Sequence, residues 1–497
     1  MSLSFQSLRG LAAEIKPRTQ AFIAGGFLDA ATGETFDTIN PATGQVITRV
    51  AACGLQDVES AVVAARHAFE DGRWRRRSSR ERKHVLLNLA DLIEQHLDEL
   101  ALLETLDIGK PISNTRSLDI PKTANMFRWY AEAIDKRYDE VAPTGNDALA
   151  FITREPLGVI GTIVPWNFPL YVAAYTLAPA LAMGNSVVLK PAEQSPLTAI
   201  RLGELAAKAG IPDGVLNVLP AQGIAVGQAI GKHLDVDCVS FTGSTKVGKQ
   251  FLLYAAESNA KRVNLELGGK SPNIVLADAP DLEIAASAAA WGIFYAQGQV
   301  CSAGSRLLVD RRIQEKFVEK VINTARSMRL GDPLDPDTQL GALVSQAHLE
   351  RVMRYVDSGK RAGAKLALGG NRVLETSGGY FLEPTIFTGV DNSMQIAQEE
   401  IFGPVLSVIT FDEVDEAIRI ANDSMHGLGA AVWTRDVNTA FRVARALRVG
   451  SVWINNYDDS DLTVPWGGVK GSGNGRAKSL HALEEYSVLK STWIKLS

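Results

Sequence analysis

From Glu155 onward the chain alternates β-rich runs with amphipathic helical ones, and this alternation restricts the fold more than any other feature. "VIGTIVPW" reads as a strand closed by Pro165, and "NSVVLKPA" as a second closed by Pro191. "PLTAIRLGELAAKAG" reads as a helix with Gly210 in the C-cap position. "GVLNVLPA" and "CVSFTGS" are two further strands, and "TKVGKQFLLYAAES" is the helix after the second. Strands separated by helices predict a parallel sheet with right-handed crossovers. A second series starts near Gly269, with strands in "SPNIVLADA", "SRLLVD", "FGPVLSVITF" and "GLGAAVWT" and helices between them. It predicts a second α/β unit.

Ahead of these come short β segments in "AFIAGGFLDAATGETFDTINPATGQVITRVA", then two helical stretches, the second capped by Ser78 or Ser79. The tail "HALEEYSVLKSTWIKLS" ends in a β-like run with nothing after it to pair with, which suggests a sheet completed in a partner subunit. With 497 residues, two or three domains are expected. A net charge of −5 without a long basic run gives no reason to expect nucleic acid. The run "YVAAYTLAPALAMGNSVV" comes nearest to a membrane span, but Pro179, Gly184 and Asn185 interrupt it. No apolar signal core opens the chain, so a cytoplasmic setting is expected.

Three cysteines without regular spacing argue against a disulfide framework or a zinc site, and no metal is expected. Cys238 lies in a strand-like run and reads as a core residue. Cys301 stands apart, in "YAQGQVCSAGSR", where small neighbours leave a thiol reachable as a nucleophile. None of the seven histidines falls in a neighbouring motif, which disfavours a cysteine–histidine hydrolase. Glu266, in "VNLELGGK", is a carboxylate in an apolar strand, suited to general-base work or else paired with Lys270. Asn167, between Trp166 and Phe168 in "VPWNFPL", is either a rigid amide donor to an oxyanion or the cap of a turn. Gly243 and Ser244 of "FTGSTKVG" open a helix whose free N–H groups suit a pyrophosphate, or form a plain strand-to-helix turn. Lys190 and Glu193 of "VVLKPAEQSP" lie past a strand's C-terminal end, either on a ribose or in a solvated loop.

Taken together and in this order, "PWNFPL", "LKPAEQSP", "FTGSTKVG", "LELGGKSPNIV", "FYAQGQVCSAGSR", "EEIFGPV" and "PWGGVKGSGNGR" resemble the aldehyde dehydrogenase superfamily over nearly the whole chain. The resemblance implies a Rossmann-like NAD-binding domain in 1–130 and 156–268, an α/β catalytic domain in 269–477, and a small β oligomerisation arm in 131–155 and 478–497. It implies a homo-oligomer, a dimer of dimers, acting on a small-molecule aldehyde. By position, Cys301 resembles the nucleophile, Glu266 the base and Asn167 the oxyanion donor. Lys190 and Glu193 resemble adenosine-ribose contacts, and the run from Gly243 through Ser244 and Val247 to Gly248 resembles a pyrophosphate and adenine segment. Ile163, Trp166 and Gly223 join the cofactor contacts, and Glu400 and Phe402 resemble those on the nicotinamide side. A carboxylate at Glu193 implies NAD, with NADP tolerated at most.

The subfamily likeness, carried by "DIPKTANMFRWYAEAIDK" and "NNYDDSDLTVPWGG", is to dehydrogenases of γ-glutamyl-γ-aminobutyraldehyde and guanidinobutyraldehyde in polyamine breakdown. It places Val300, Ser302, Tyr457, Asp459 and Trp466 by the substrate, with Phe168 and Tyr175 on the opposite wall. Asp458, Asp459 and Asp461 at the mouth, with Asp107 as a further carboxylate, and aromatics along the tunnel would suit a cationic tail. The expected substrate is therefore an ω-amino or ω-guanidino butyraldehyde, with its γ-glutamylated form in competition. The alternatives are a broad-specificity or betaine-type enzyme, a non-catalytic binding protein on this fold, and a cysteine hydrolase working without NAD.

Overall fold

In the computed structural model, which describes residues 4–496, two seven-stranded sheets carry most of the chain. The first runs in the spatial order Arg262–Leu267, Cys238–Gly243, Val159–Ile163, Ser186–Lys190 and Leu216–Val218, all parallel. Two antiparallel N-terminal strands, Ala21–Ile23 and Gly26–Leu28, extend its edge. From Val159–Ile163 the chain moves outward through two strands, then returns to build Cys238–Gly243 on the other side. The strand order reverses between these two central strands, and the crevice outside such a reversal is where ligands bind in open α/β sheets. The crossover helices form as their local sequence dictates. Gly210 closes Leu197–Ala209 at φ 102°, as its C-cap position predicts. Ser78 caps Ser79–Gln95 in a reciprocal box with Glu81.

The second sheet has the order Lys365–Leu368, Thr385–Thr388, Val405–Phe411, Arg306–Asp310, Pro272–Val275, Gly429–Trp433 and Ser451–Ile454. Every pairing in it is parallel except the first. The four strands expected from sequence are all there, buried on both faces as parallel strands must be. The chain passes from sheet to sheet through Gly268–Ser271, so Glu266 near the end of one sheet's edge strand lies close to the start of the other.

The tail pairs within its own chain. Ser487–Lys495 pairs antiparallel along its full length with Ala148–Pro156 of the same chain, and Glu140–Ala142 completes a three-stranded sheet. The run does have a partner, over three hundred residues away in sequence. Its outer residues remain exposed, Leu489 and Trp493 among them.

Candidate active site

Between the sheets lies a cavity of about 610 Å³, bordered by the Pro165–Phe168 segment that follows Val159–Ile163 and by the end of Cys238–Gly243. Cys301 lines it, half-buried, after the helix Leu282–Phe294. The turn between them is unusual. Ala296 and Gln297 have φ of 47° and 59°, and Gly298 follows at 70°. Side-chain-bearing residues with positive φ are costly and cluster at functional sites. A β-carbon on Gly298 would stand 2.2 Å from the Gly403 carbonyl oxygen, so this turn packs directly on the "IFGP" segment. Burial pushes the Cys301 thiol up to about 12, and the charges of Asp458, Glu400 and Glu266 push the same way. The resting group is a thiol, and its proton must be taken before it can attack.

Asn167 is buried on the cavity wall, and its Nδ2 donates to the Gln299 carbonyl at 2.7 Å. Gln299 is itself held by accepting from the Val344 N–H at 3.0 Å. An amide nitrogen carries two hydrogens. One fixes the side chain and leaves the other for a ligand.

Glu266 also lines the cavity, and among the described residues neither of its carboxyl oxygens has a hydrogen-bond partner. Lys270 is buried and forms no ion pair with it, so the pairing alternative fails. Burial raises the Glu266 carboxyl well above the usual range, against the pull of Arg476. The glycine-rich "PWGGVKGSGNGR" makes room for it: β-carbons on Gly467 and Gly475 would stand 2.9 and 3.0 Å from Oε1.

The residues expected around a dinucleotide fall in two groups. Trp166, Gly243, Ser244, Glu400 and Phe402 line the cavity. Gly269 N–H donates to Glu400 at 3.2 Å, and a β-carbon on Gly268 would sit 2.0 Å from the Glu400 carboxylate. Phe402 takes φ 61°, with its ring edge-on to Trp166 at 5.3 Å. Ile163, Lys190, Glu193, Gly223, Val247 and Gly248 lie off this wall. Lys190 Nζ donates to the carbonyls of Pro191 and Ala221, and Glu193 accepts from the Gly223 N–H at 2.6 Å. These bonds join two loops at the sheet's C-terminal edge. Ser244 caps the helix Thr245–Ala256 by accepting from Val247 N–H at 3.4 Å. Gly248 is explained by packing, since its β-carbon would meet Leu267 at 2.6 Å.

On the other side of Cys301 the wall is aromatic, with Phe168, Tyr171, Tyr175, Tyr295 and Trp466. Val300 and Ser302 line it too. Tyr457 does not. Its hydroxyl donates to the Ser302 carbonyl at 2.7 Å from behind the loop, and its ring lies against Gly292 and Gly304. Asp459 is exposed and off the wall, whereas its neighbour Asp458 faces the cavity and accepts from Ser302 Oγ at 2.9 Å. Asp461 caps its own turn through Thr463. Asp107 is buried elsewhere, accepting from Leu197 N–H at 3.1 Å. The sequence motifs did not mark several charged or titratable cavity residues, among them Asp119, Lys122, His348, Arg351 and Lys478. His348 is pushed down to about 4 by burial, so it is neutral, and it contacts Trp166 edge-on and the Phe402 carbonyl.

A thiol, a fixed amide donor and an unpartnered carboxyl thus share one cavity, which opens beside a sheet edge suited to a dinucleotide. That is a set able to add a nucleophile to a carbonyl and then hydrolyse the product. The donor chemistry fits the cofactor: an ammonium, two carboxylates for hydroxyls, a helix N-terminus, and a glycine cradle beside Glu400.

Known proteins resemble this chain over most or all of its length. Residues 27–492 match the profile described as "Aldehyde dehydrogenase family". The chain is 53% identical over 475 residues to the NADP/NAD-dependent aldehyde dehydrogenase PuuC of Escherichia coli (strain K12), covering 96% of this chain and 95% of that one. Among solved structures, an indole-3-acetaldehyde dehydrogenase complexed with NAD+ matches at TM-score 0.99 and 56% identity, over 100% of both chains. A γ-glutamyl-γ-aminobutyraldehyde dehydrogenase from Burkholderia cenocepacia J2315 matches at 0.98 and 54%, again over 100% of both.

Proposed function

Since this chain belongs to the aldehyde dehydrogenase family, we propose that it oxidises a butyraldehyde carrying an ω-amino, ω-guanidino or γ-glutamylamino tail to the acid, with NAD as acceptor and Cys301 as nucleophile. The observation that carries this reading is the meeting of Cys301, Asn167 and the unpartnered Glu266 on one cavity wall.

The Cys301 thiol gives up its proton to solvent as its sulfur adds to the aldehyde carbon. Asn167 Nδ2, with one hydrogen on Gln299, turns the other to the carbonyl oxygen as it gains charge, beside the Cys301 N–H. NAD, when bound, supplies the acceptor for the hydride that the adduct loses. Lys190 and Glu193 would hold its adenosine ribose, the Ser244 helix start its pyrophosphate, and Glu400 its nicotinamide ribose. Glu266 serves the second half. Its carboxylate takes a proton from the water that opens the Cys301 thioester, and its raised affinity for protons suits that task. The acid then leaves and the thiol is restored.

The test is absorbance at 340 nm on mixing with NAD and the three aldehydes. Steady NADH production that Cys301→Ala abolishes, with NAD binding retained, supports the reading. Near-native turnover by that variant ends it. The aromatic wall favours a second reading, an arylacetaldehyde substrate like that named for the indole-3-acetaldehyde enzyme. It takes precedence if kcat/KM for indole-3-acetaldehyde exceeds that for all three charged aldehydes.

A further inference from the structure

The far wall of the cavity carries a buried cation that no carboxylate among the described residues neutralises at contact distance. Lys478 is 3% exposed and lines the cavity. Its ammonium donates to Ser460 Oγ at 3.0 Å and stands 5.6 and 5.5 Å from the ring centres of Tyr175 and Trp466. Among the described residues, no carboxylate oxygen lies within 4.0 Å of it. Asp458 acts on it only from beyond ion-pair range. Burying an ammonium with a single hydroxyl partner is costly.

The backbone keeps it there. Lys478 and Ser479 both hold positive φ, 61° and 52°. Ala477 and Trp466 exchange two backbone hydrogen bonds of 2.7 Å, which fix Lys478 beside the Trp466 ring. The Ser479 carbonyl accepts from Tyr130 Oη at 3.1 Å. Two consecutive side-chain-bearing residues in the left-handed region mark a position held against its local preference.

The aromatic faces expected to meet a cationic tail are therefore already taken. Lys478 faces Tyr175 and Trp466, and Lys110, paired with Asp119, sits 3.5 Å over Phe168. Lys122 adds a second positive charge at the rim. Two carboxylates line this end: Asp119, whose charge is taken up by Lys110, and Asp458, with Oδ1 accepting from Ser302. A tail bearing only an ammonium or guanidinium would meet two lysines, with Asp458 the carboxylate at this end not already held in an ion pair.

From this arrangement we propose that Lys478 is a specificity-determining residue that binds a carboxylate at the far end of the aldehyde, so that carboxylate-bearing tails are selected over purely cationic ones. Asp458, with its second oxygen open, accommodates an ammonium on the same tail. Of the three tails, the γ-glutamylamino group is the one that offers both. The inference rests on the aldehyde-oxidising reading of this cavity and reverses the charge preference expected from the aspartate-rich loop.

Three aldehydes of matched length separate the charges. γ-Glutamylaminobutyraldehyde carries an ammonium and a carboxylate, 4-(glutarylamino)butanal the carboxylate only, and 4-(4-aminobutanoylamino)butanal the ammonium only. In the native enzyme, kcat/KM should be higher for both carboxylate-bearing compounds than for the ammonium-only one. In Lys478→Met, which keeps an apolar stem, the ratio of glutaryl to aminobutanoyl kcat/KM should fall about tenfold to a hundredfold, the worth of one hydrogen bond between charged groups. Lys478→Arg should restore much of it. A native enzyme that uses the ammonium-only aldehyde as well as the glutaryl one overturns the proposal, as does an unchanged ratio in a folded Lys478→Met. The native ranking decides the matter even if that variant does not fold. Absence of NADH from all three compounds would instead strike at the aldehyde-oxidising reading itself.

Discussion

Asn167 Nδ2 donates to the Gln299 carbonyl at 2.7 Å, two residues before Cys301, so the amide and the thiol are fixed to one turn of chain. Asn167→Ala removes a donor aimed at the developing oxyanion. We expect kcat to fall about a hundredfold to a thousandfold, with NAD binding unchanged. Single-turnover kinetics should place the loss in NADH formation, before deacylation. A loss confined to deacylation would remove Asn167 from this role.

Glu266 should control the later step. With Glu266→Gln, one equivalent of NADH should form in a burst, and steady turnover should slow by about a hundredfold or more. The raised carboxyl gives a direction with pH. The protonated group cannot accept a proton, so native turnover should rise with pH beyond the usual carboxylate range, and the variant should lose that dependence. Stability moves the other way. A carboxyl raised by folding favours the folded state at low pH and loses that contribution as pH climbs through its folded value. Glu266→Gln should thus gain in Tm on the native enzyme as pH rises. A missing burst would show that Glu266 acts earlier.

Gly268 has no side chain where the Glu400 carboxylate stands. Gly268→Ala puts a β-carbon into that space and must displace Glu400. KM for NAD should rise about tenfold, one charge-assisted hydrogen bond's worth, with less change in KM for the aldehyde. Titration of NAD against the fluorescence of the nearby Trp166 checks this.

At the sheet edge Glu193 accepts from Gly223 N–H through Oε2 and, at 3.4 Å, from the Gln194 side-chain amide through Oε1. A negative group there repels a 2′-phosphate, so NAD should give the higher kcat/KM. Glu193→Gln keeps a hydrogen-bonding side chain without the charge and should narrow the gap between NAD and NADP. A native preference for NADP would refute this assignment.

Lys478 is pushed down to about 8 by burial, against the opposing charge of Asp458; Lys122 presses the same way as burial, and Cys301 and Asp461 are the other titratable groups facing it. Its charged form binds a carboxylate. The preference for glutaryl over aminobutanoyl aldehyde should therefore be full below pH 8 and shrink as pH rises through it. Taking the ratio cancels the Glu266 effect common to both substrates. A ratio flat across that range would separate Lys478 from the discrimination.

Much of this was legible in the order of residues alone. Strand and helix periodicity are local properties, so the parallel strands and the Gly210 and Ser78 caps followed from sequence. A thiol among small residues, a lone carboxylate in an apolar strand and an asparagine between prolines are local oddities too, and all three line one cavity. What only the tertiary structure decided were relations between distant segments. Ser487–Lys495 found its strand partner at Ala148–Pro156 because chain folding, not proximity in sequence, chooses pairings. Within the aspartate-rich loop, turn geometry sent Asp458 inward and Asp459 outward, and Tyr457 went behind the Cys301 loop. Lys478, an unremarked lysine in "GRAKSLH", became the charge facing the aromatic wall, because a left-handed backbone and the backbone pairing of Ala477 with Trp466 turn it inward. Charge in a cavity depends on which side chains face it, and composition along a loop does not carry that direction.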